Sequence, residues 1–108
     1  MWTVQYLDEA SQELDALPIR EQVALVRAVE KLAVLGPRLP YPHQSDVRGA
    51  GGLRELRPRG GRSPWRAFYR RIGDVFVIGA IGPEATVDPR GFDRAVSAAN
   101  TRLENYQR

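Results

Sequence analysis

The chain has 108 residues, of which 43% are apolar and 27% charged, and a net charge of +3 at neutral pH; these values fit a single globular domain spanning 1–108. It has no cysteine and only one histidine, which excludes disulfides, thiol nucleophiles and Cys- or His-rich metal sites. No stretch is apolar enough to span a membrane and the N-terminus lacks a secretory pattern, so we expect a cytoplasmic protein.

The first third of the chain predicts a strand followed by two helices. Trp2–Tyr6 is a short run of β-branched and aromatic residues, which is typical of a strand. Asp8 can cap a helix over Glu9–Leu17. A second helix, Ile19–Leu35, carries a broad apolar stripe and ends before a Gly-Pro pair. We expect the two helices to form an antiparallel hairpin that contributes to the core.

The middle of the chain predicts a loop and then three strands. Residues 37–52 are rich in proline and glycine and are expected to be irregular. Leu53–Arg57, Pro64–Ile72 and Val75–Ile81 follow, separated by short turns. Consecutive hairpins of this kind predict an antiparallel meander.

The last element is a helix. Asp88 followed by Pro89 is a helix start, and an apolar stripe continues to about Tyr106. The predicted order is therefore β-α-α-β-β-β-α. This order indicates an α+β fold, with a small antiparallel sheet whose helices pack on one face and leave the other face free.

The arginines of this chain are clustered. Eight of the fifteen fall between Arg48 and Arg71, with Glu55 as the only acid among them. This segment carries +7 although the whole chain carries +3, so the rest of the chain is net negative. A compositional preference for arginine over lysine explains the residue type but does not explain the clustering. Such polarisation is typical of a surface that binds phosphates.

Strand alternation predicts which of these side chains share a face. Leu56, Ala67 and Tyr69 suit the face that the helices cover. The open face then receives Glu55, Arg57, Arg66, Phe68 and Arg70. Guanidinium groups around an aromatic ring suit single-stranded RNA, because the cations bind phosphates and the ring stacks on a base. Two alternatives stay open: Phe68 packs against the C-terminal helix, and Glu55 only forms a salt bridge to Arg57 or Arg66.

Three segments of the arginine-rich region resemble a known family. They are GLRELR at 52–57, the Gly61-Arg62 turn and PWRAFY at 64–69. Their order and spacing resemble the phage-derived, HigB-like branch of the RelE/ParE toxin superfamily. The resemblance extends over almost the whole chain and includes the helical hairpin and the start of the C-terminal helix.

The resemblance implies the toxin of a type II toxin–antitoxin system. Its members cleave mRNA in the ribosomal A site without a metal or cofactor, through attack of a ribose 2′-OH that gives a 2′,3′-cyclic phosphate. It implies that Arg66 holds the scissile phosphate, that Arg57 is a basic second-strand residue and that Glu55 is the candidate base. RNA would be anchored by Arg54, Arg62, Arg70 and Phe68. The implied partners are a cognate helix-turn-helix antitoxin, the ribosome and mRNA.

One segment departs from the family pattern. Members carry basic residues after the last strand, often followed by an acid–base Tyr or His, whereas this chain has the acidic stretch Gly82–Asp88. Candidates for the missing acid are His43 and Tyr69. A second hypothesis is therefore a protein that acts by binding alone, either in antitoxin and operator regulation or in ParE-like inhibition of gyrase. A third is a basic RNA-binding domain driven by counterion release.

Overall fold

The computed structural model describes residues 1–108 and confirms the α+β class. It contains one five-stranded sheet and three α-helices, none of which is long and apolar enough to cross a membrane. The elements in chain order are β1 (Thr3–Tyr6), α1 (Asp8–Asp15), α2 (Ile19–Leu35), β2 (Gln44–Asp46), β3 (Arg54–Leu56), β4 (Trp65–Ile72), β5 (Val75–Pro83) and α3 (Pro89–Gln107).

The strands are arranged in the order β1-β5-β4-β3-β2. The three strands β3 to β5 pair antiparallel, as the meander predicted, and β2 adds a further antiparallel strand, but β1 pairs parallel to β5. The prediction of a wholly antiparallel sheet is therefore wrong at this edge, because no local turn reveals the partner of a strand so distant in sequence. The edge strand β2 was also missed, since its three polar residues carry no apolar alternation.

Helices cover both faces of the sheet, so the prediction of one free face is wrong. On the first face, α1 and α2 bury residues that include Leu25 and Leu32 against Leu56, Ala67 and Tyr69. On the second face, α3 packs its apolar stripe against the sheet in a cluster of Val47, Ala50, Leu53, Phe68, Val77, Ala80, Ala95, Ala99 and Leu103. The physical reason is that the stripe of α3 also has to be buried, and the second face offers the apolar partners.

Two glycines of β5 let α3 lie close to the sheet. Phe68 pairs with Ala80 while Tyr69 pairs with Ile78, so Gly79 is an extra, bulged residue. A Cβ atom on Gly79 would lie 3.0 Å from the Leu103 side chain, and one on Gly82 would overlap the Cβ of Ala95. The helix therefore lies over β5 and part of β4, and β3 extends beyond it.

A side-chain staple joins α1, β5 and α3 at the edge of the sheet. β1 pairs only with residues 75–78, which leaves the second half of β5 without a neighbouring strand on that side. There the Ile81 N–H donates to Glu13 Oε1 at 3.0 Å, and Arg102 donates to the Gly79 carbonyl at 3.0 Å. Arg102 also pairs with Glu13 through both terminal nitrogens. The backbone groups of this edge are thus bonded by side chains.

Candidate functional site

The centre of the candidate site is Arg66, which lies on the α3 side of β4 and is only 1% exposed. Its Nε donates to Glu55 Oε1 at 3.1 Å, and its other end lies 3.6 Å from Glu84 Oε2. Burial lowers the pKa of Arg66 from its ordinary value, and the Glu55 contact opposes that shift. An arginine in such surroundings stays protonated, so the site holds one buried cation between two carboxylates.

Backbone carbonyls accept three further hydrogens of this guanidinium. One terminal nitrogen donates to the carbonyls of Ser63 at 2.7 Å and Trp65 at 3.0 Å, and the other donates to Gly61 at 3.4 Å. Four of the five N–H groups of the side chain are therefore hydrogen-bonded, and the nitrogen that carries the fifth lies 3.6 Å from Glu84. Arg66 fixes the loop before β4 and holds the carboxylate of Glu55 in place.

Arg57 provides the second cation of the site, and its guanidinium has a nitrogen without a hydrogen-bond partner. It follows directly after β3, and its Nε lies 4.0 Å from Glu55 Oε1. That Nε is buried without a hydrogen-bond partner, while the guanidinium stacks 5.3 Å from the centre of the Tyr41 ring. Gly61 makes room for it, since a Cβ atom there would lie 3.0 Å from an Arg57 terminal nitrogen. A buried donor without a partner is ready for an acceptor from a ligand.

The sequence interpretation missed Glu84 as a member of this cluster. Its backbone N–H donates to the Pro64 carbonyl, and its Oε1 accepts the Val87 N–H. The carboxylate is thereby held with its other oxygen towards Arg66. The strand register could have located it, because Arg66 pairs with Gly82 and the chain reaches Glu84 two residues later.

The arginines that were predicted to anchor RNA do not form one surface. Arg54 lies on the α1–α2 side of β3, where it donates to Gln44. Arg70 is on the site's face but donates to Asn100 of α3 at 2.7 Å, so it fastens the helix. Arg62 is exposed in the turn before β4.

The other three predicted residues do not join this charged cluster, although Phe68 is the cross-strand partner of Glu55. Phe68 is fully buried and packs edge-on against Phe92 at 5.4 Å, so the prediction of an exposed stacking ring is wrong and the helix-packing alternative is confirmed. Tyr69 is buried on the opposite face, where burial raises its pKa to about 12. The side chain of His43 lines a groove beside α2. The sheet separates Tyr69 from the cluster, so it does not act there as an acid.

Comparisons with solved structures define the architecture as that of the RelE and ParE toxins. The chain resembles a chain of the toxin–antitoxin complex RelBE2 from Mycobacterium tuberculosis (TM-score 0.60, 23% identity, covering 77% of this chain and 98% of that one). A mutant of E. coli RelE in the free state gives a TM-score of 0.64 with 17% identity, covering 89% and 95%. The ParDE system of P. aeruginosa gives 0.58 with 22% identity, covering 77% and 96%. At these identities the likeness establishes the fold.

The sequence itself defines the family. Residues 12–78 match the model of the phage-derived Gp49-like proteins, and the chain therefore belongs to that family. The match spans more than half of the chain and includes the second helix, the arginine-rich region and the first four residues of β5. No curated protein sequence matches the chain.

Proposed function

We propose that this protein is the toxin of a type II toxin–antitoxin system and acts as a ribosome-dependent mRNA endonuclease. The RelE-type fold and the Gp49-like family support the toxin assignment. The observation that carries the nuclease assignment is the placement of Glu55 between Arg66 at 3.1 Å and Arg57 at 4.0 Å. A carboxylate beside a cation that has an unsatisfied donor can combine proton removal with stabilisation of a phosphate.

In the proposed reaction, Glu55 takes the proton of a ribose 2′-OH. The 2′-oxygen forms a bond to the adjacent phosphorus while the bond from phosphorus to the 5′-oxygen breaks, and that oxygen takes up a proton. The products are a 2′,3′-cyclic phosphate and a 5′-hydroxyl. Arg57 stabilises the negative charge that develops on the phosphate, because its Nε has no other partner.

Arg66 is proposed as a positioning residue. Four of its five N–H groups already donate to protein acceptors and the remaining one is next to Glu84, so a phosphate would have to compete with these groups. Its hydrogen bond to Glu55 at 3.1 Å fixes the carboxylate that is proposed to accept the proton. This differs from the role implied by the family resemblance, in which this arginine holds the phosphate.

Ribosome dependence is supported by the absence of a suitable acid in the cluster. Glu55 is proposed as the base, and the Glu84 carboxylate is held by Arg66 and by the Val87 N–H. Neither is therefore assigned as the proton donor for the leaving oxygen. We infer that the donor belongs to the ribosomal complex and that the isolated protein cleaves RNA slowly.

The proposed regulatory partner is an antitoxin, of the helix-turn-helix kind that the family resemblance implies. Two of the similar structures, RelBE2 and ParDE, are toxin–antitoxin systems. This supports an antitoxin as the protein partner of the present chain. The ribosome, mRNA and a cytoplasmic location are proposed together with the nuclease function.

The test is inducible expression with mapping of mRNA 5′ ends, followed by incubation of the purified protein with translating ribosomes. We expect new 5′-hydroxyl ends inside translated mRNAs, and at least a hundredfold less cleavage from Arg57→Ala. Arg54→Ala is the matched control, because it removes an exposed arginine from the opposite side of β3. Equal cleavage by the Arg57 variant and the parent would refute the proposed site.

One observation favours the second candidate, a protein that acts by binding alone. Glu84 faces Arg66 where the family pattern has basic residues, so the buried cation is already neutralised. If induction leaves mRNA intact, the binding hypothesis replaces the nuclease. DNA-damage signalling would then indicate gyrase inhibition, and antitoxin-dependent repression would indicate operator regulation.

A further inference from the structure

We infer that a groove between α2 and the end of β3 binds one nucleotide of the RNA strand, next to the nucleotide that is cut. The inference rests on the proposed function, because it extends the path of that RNA. The groove has a volume of about 230 Å³. It is lined by Arg20, Val23, Ala24, Arg27, Ala28, Lys31, Leu39, His43, Leu56, Arg57 and Arg59.

The charge of the lining selects an anion. Five of these residues are cationic and none is an acid. Arg20, Arg27 and Lys31 lie on one side of α2, are exposed and form no ion pair. Arg27 and Lys31 are four residues apart, which places them about 6 Å apart along the helix. Cations without counter-charges on one helix side suit the phosphates of a strand.

The floor of the groove selects a compact apolar body. It consists of small and aliphatic side chains, among them Ala24, Ala28, Leu39 and Leu56. The volume lies below the roughly 300–1,000 Å³ of sites for drug-sized ligands. A single nucleobase with its phosphate matches both the floor and the cationic border.

Continuity with the candidate site favours RNA over an acidic protein segment. Arg57 lines the groove and also lies 4.0 Å from Glu55. Its buried Nε, which has no partner in the protein, stands where the two regions meet. A strand whose phosphate binds Arg57 can place the adjoining nucleotide in the groove, whereas an acidic peptide would have no part in the chemistry at Glu55.

The first test measures binding of a fluorescent four-nucleotide RNA whose 2′-hydroxyls are all methylated, so that it is not cut. We expect Arg27→Ala/Lys31→Ala to weaken binding at least tenfold and to reduce the slope of log affinity against log salt by about 1.4. Arg48→Ala/Arg108→Ala removes the same charge from exposed positions outside the groove. Equal loss in the two double variants would overturn the proposal, because it would indicate net charge alone.

The second test follows the methyl resonances of Ala24 and Ala28 by NMR as the same RNA is added. A base stacked on the floor shifts both, while Ala99, which α3 buries against the other face of the sheet, stays unchanged. Bound RNA that leaves Ala24 and Ala28 unmoved overturns the proposal. So does a poly-glutamate peptide that shifts them when the RNA does not, since the groove would then dock a protein.

These outcomes are separable from the nuclease proposal. If Glu55→Gln abolishes cleavage while the RNA still shifts Ala24 and Ala28, both proposals hold. If the parent never cuts mRNA but binds RNA through Arg27 and Lys31, the groove proposal is supported and the nuclease proposal is refuted. If the parent cleaves mRNA but the Arg27/Lys31 variant binds RNA as tightly as its control, the groove proposal is refuted and the nuclease proposal stands.

Discussion

The two faces of the sheet are both covered by helices, but they differ in what they bury. Beneath α1 and α2 the core is apolar, and its titratable side chain, Tyr69, is held neutral. Beneath α3 the apolar cluster gives way to the ionic group of Glu55, Arg66 and Glu84. The helix lies over β5 and part of β4, so the charged group occupies the region that it does not reach. The charged site of this fold therefore lies in the region that α3 leaves uncovered, and not on a sheet face that lacks helices.

The strongest test of this comparison is Phe68→Ala. Phe68 is fully buried between β4 and α3, so we expect its truncation to lower the free energy of unfolding by about 3–5 kcal/mol. Chemical denaturation measures this loss. Val87→Ala, at a side chain that is 64% exposed, should change stability by less than about 0.5 kcal/mol. Near-equal stability of the two variants would mean that Phe68 faces solvent.

Arg66→Ala tests whether the charged group supports the fold. Removal of the guanidinium leaves Glu84 without its cation and Glu55 with only Arg57 at 4.0 Å, and breaking a buried pair in this way costs about 3–5 kcal/mol. We expect about 3 kcal/mol, because Glu55 and Glu84 keep 15% and 21% of their side-chain exposure. Arg62→Ala is the control, as an exposed arginine of the same loop. If Arg66→Ala leaves the free energy of unfolding unchanged, the ion pairs of Arg66 do not stabilise the fold.

Tyr69→Phe tests the burial of Tyr69 beneath α1 and α2 through the dependence of stability on alkaline pH. Burial raises the pKa of Tyr69 from 10.0 to about 12, so the neutral phenol stabilises the fold below pH 10 and this contribution is lost as pH rises towards 12. The parent should lose about 2 kcal/mol by pH 12 from this group. The difference in unfolding free energy between parent and variant, measured from pH 9 to pH 12, should show that loss. A constant difference would place Tyr69 in contact with water.

Glu21→Gln gives the smallest expected effect. The hydrogen bond from Ser63, followed by the contact with Arg59, lowers the pKa of Glu21. Its contribution to stability is therefore present above its ordinary pKa and is lost as pH falls through the lowered value. Since the carboxylate is partly solvated, we expect less than about 1 kcal/mol. Denaturation between pH 5 and pH 2 should show a shallower decline for Glu21→Gln than for the control Glu9→Gln.

The sequence predicted local structure and shared faces well. The bounds of Ile19–Leu35 are confirmed, because a glycine and a proline follow an uninterrupted apolar stripe. Strand alternation also placed Glu55 and Arg66 on the same side, as their 3.1 Å contact shows. Both results depend on periodicity, which the sequence records directly.

The face of the sheet that each helix covers could not be predicted in the same way. The apolar stripe of α3 was visible, but its position over the second face depends on close approach at Gly79 and Gly82. The sequence therefore left open whether Phe68 faces solvent or packs against the C-terminal helix, and the structure shows it buried. Glu84 was interpreted only as a charge that departs from the family pattern, because its contact with Arg66 arises from the register between β4 and β5. Such contacts join residues that are distant in the sequence.

The staple of Glu13 and Arg102 determines how the sheet can meet other chains. On the side of β1, half of β5 has no neighbouring strand, and an unpaired strand edge can pair with a strand of another molecule. Here the Gly79 carbonyl and the Ile81 N–H are already occupied by side chains from two helices. A strand of another molecule is thereby kept from the second half of β5, and extension of the sheet is left to the outer edges of β1 and β2.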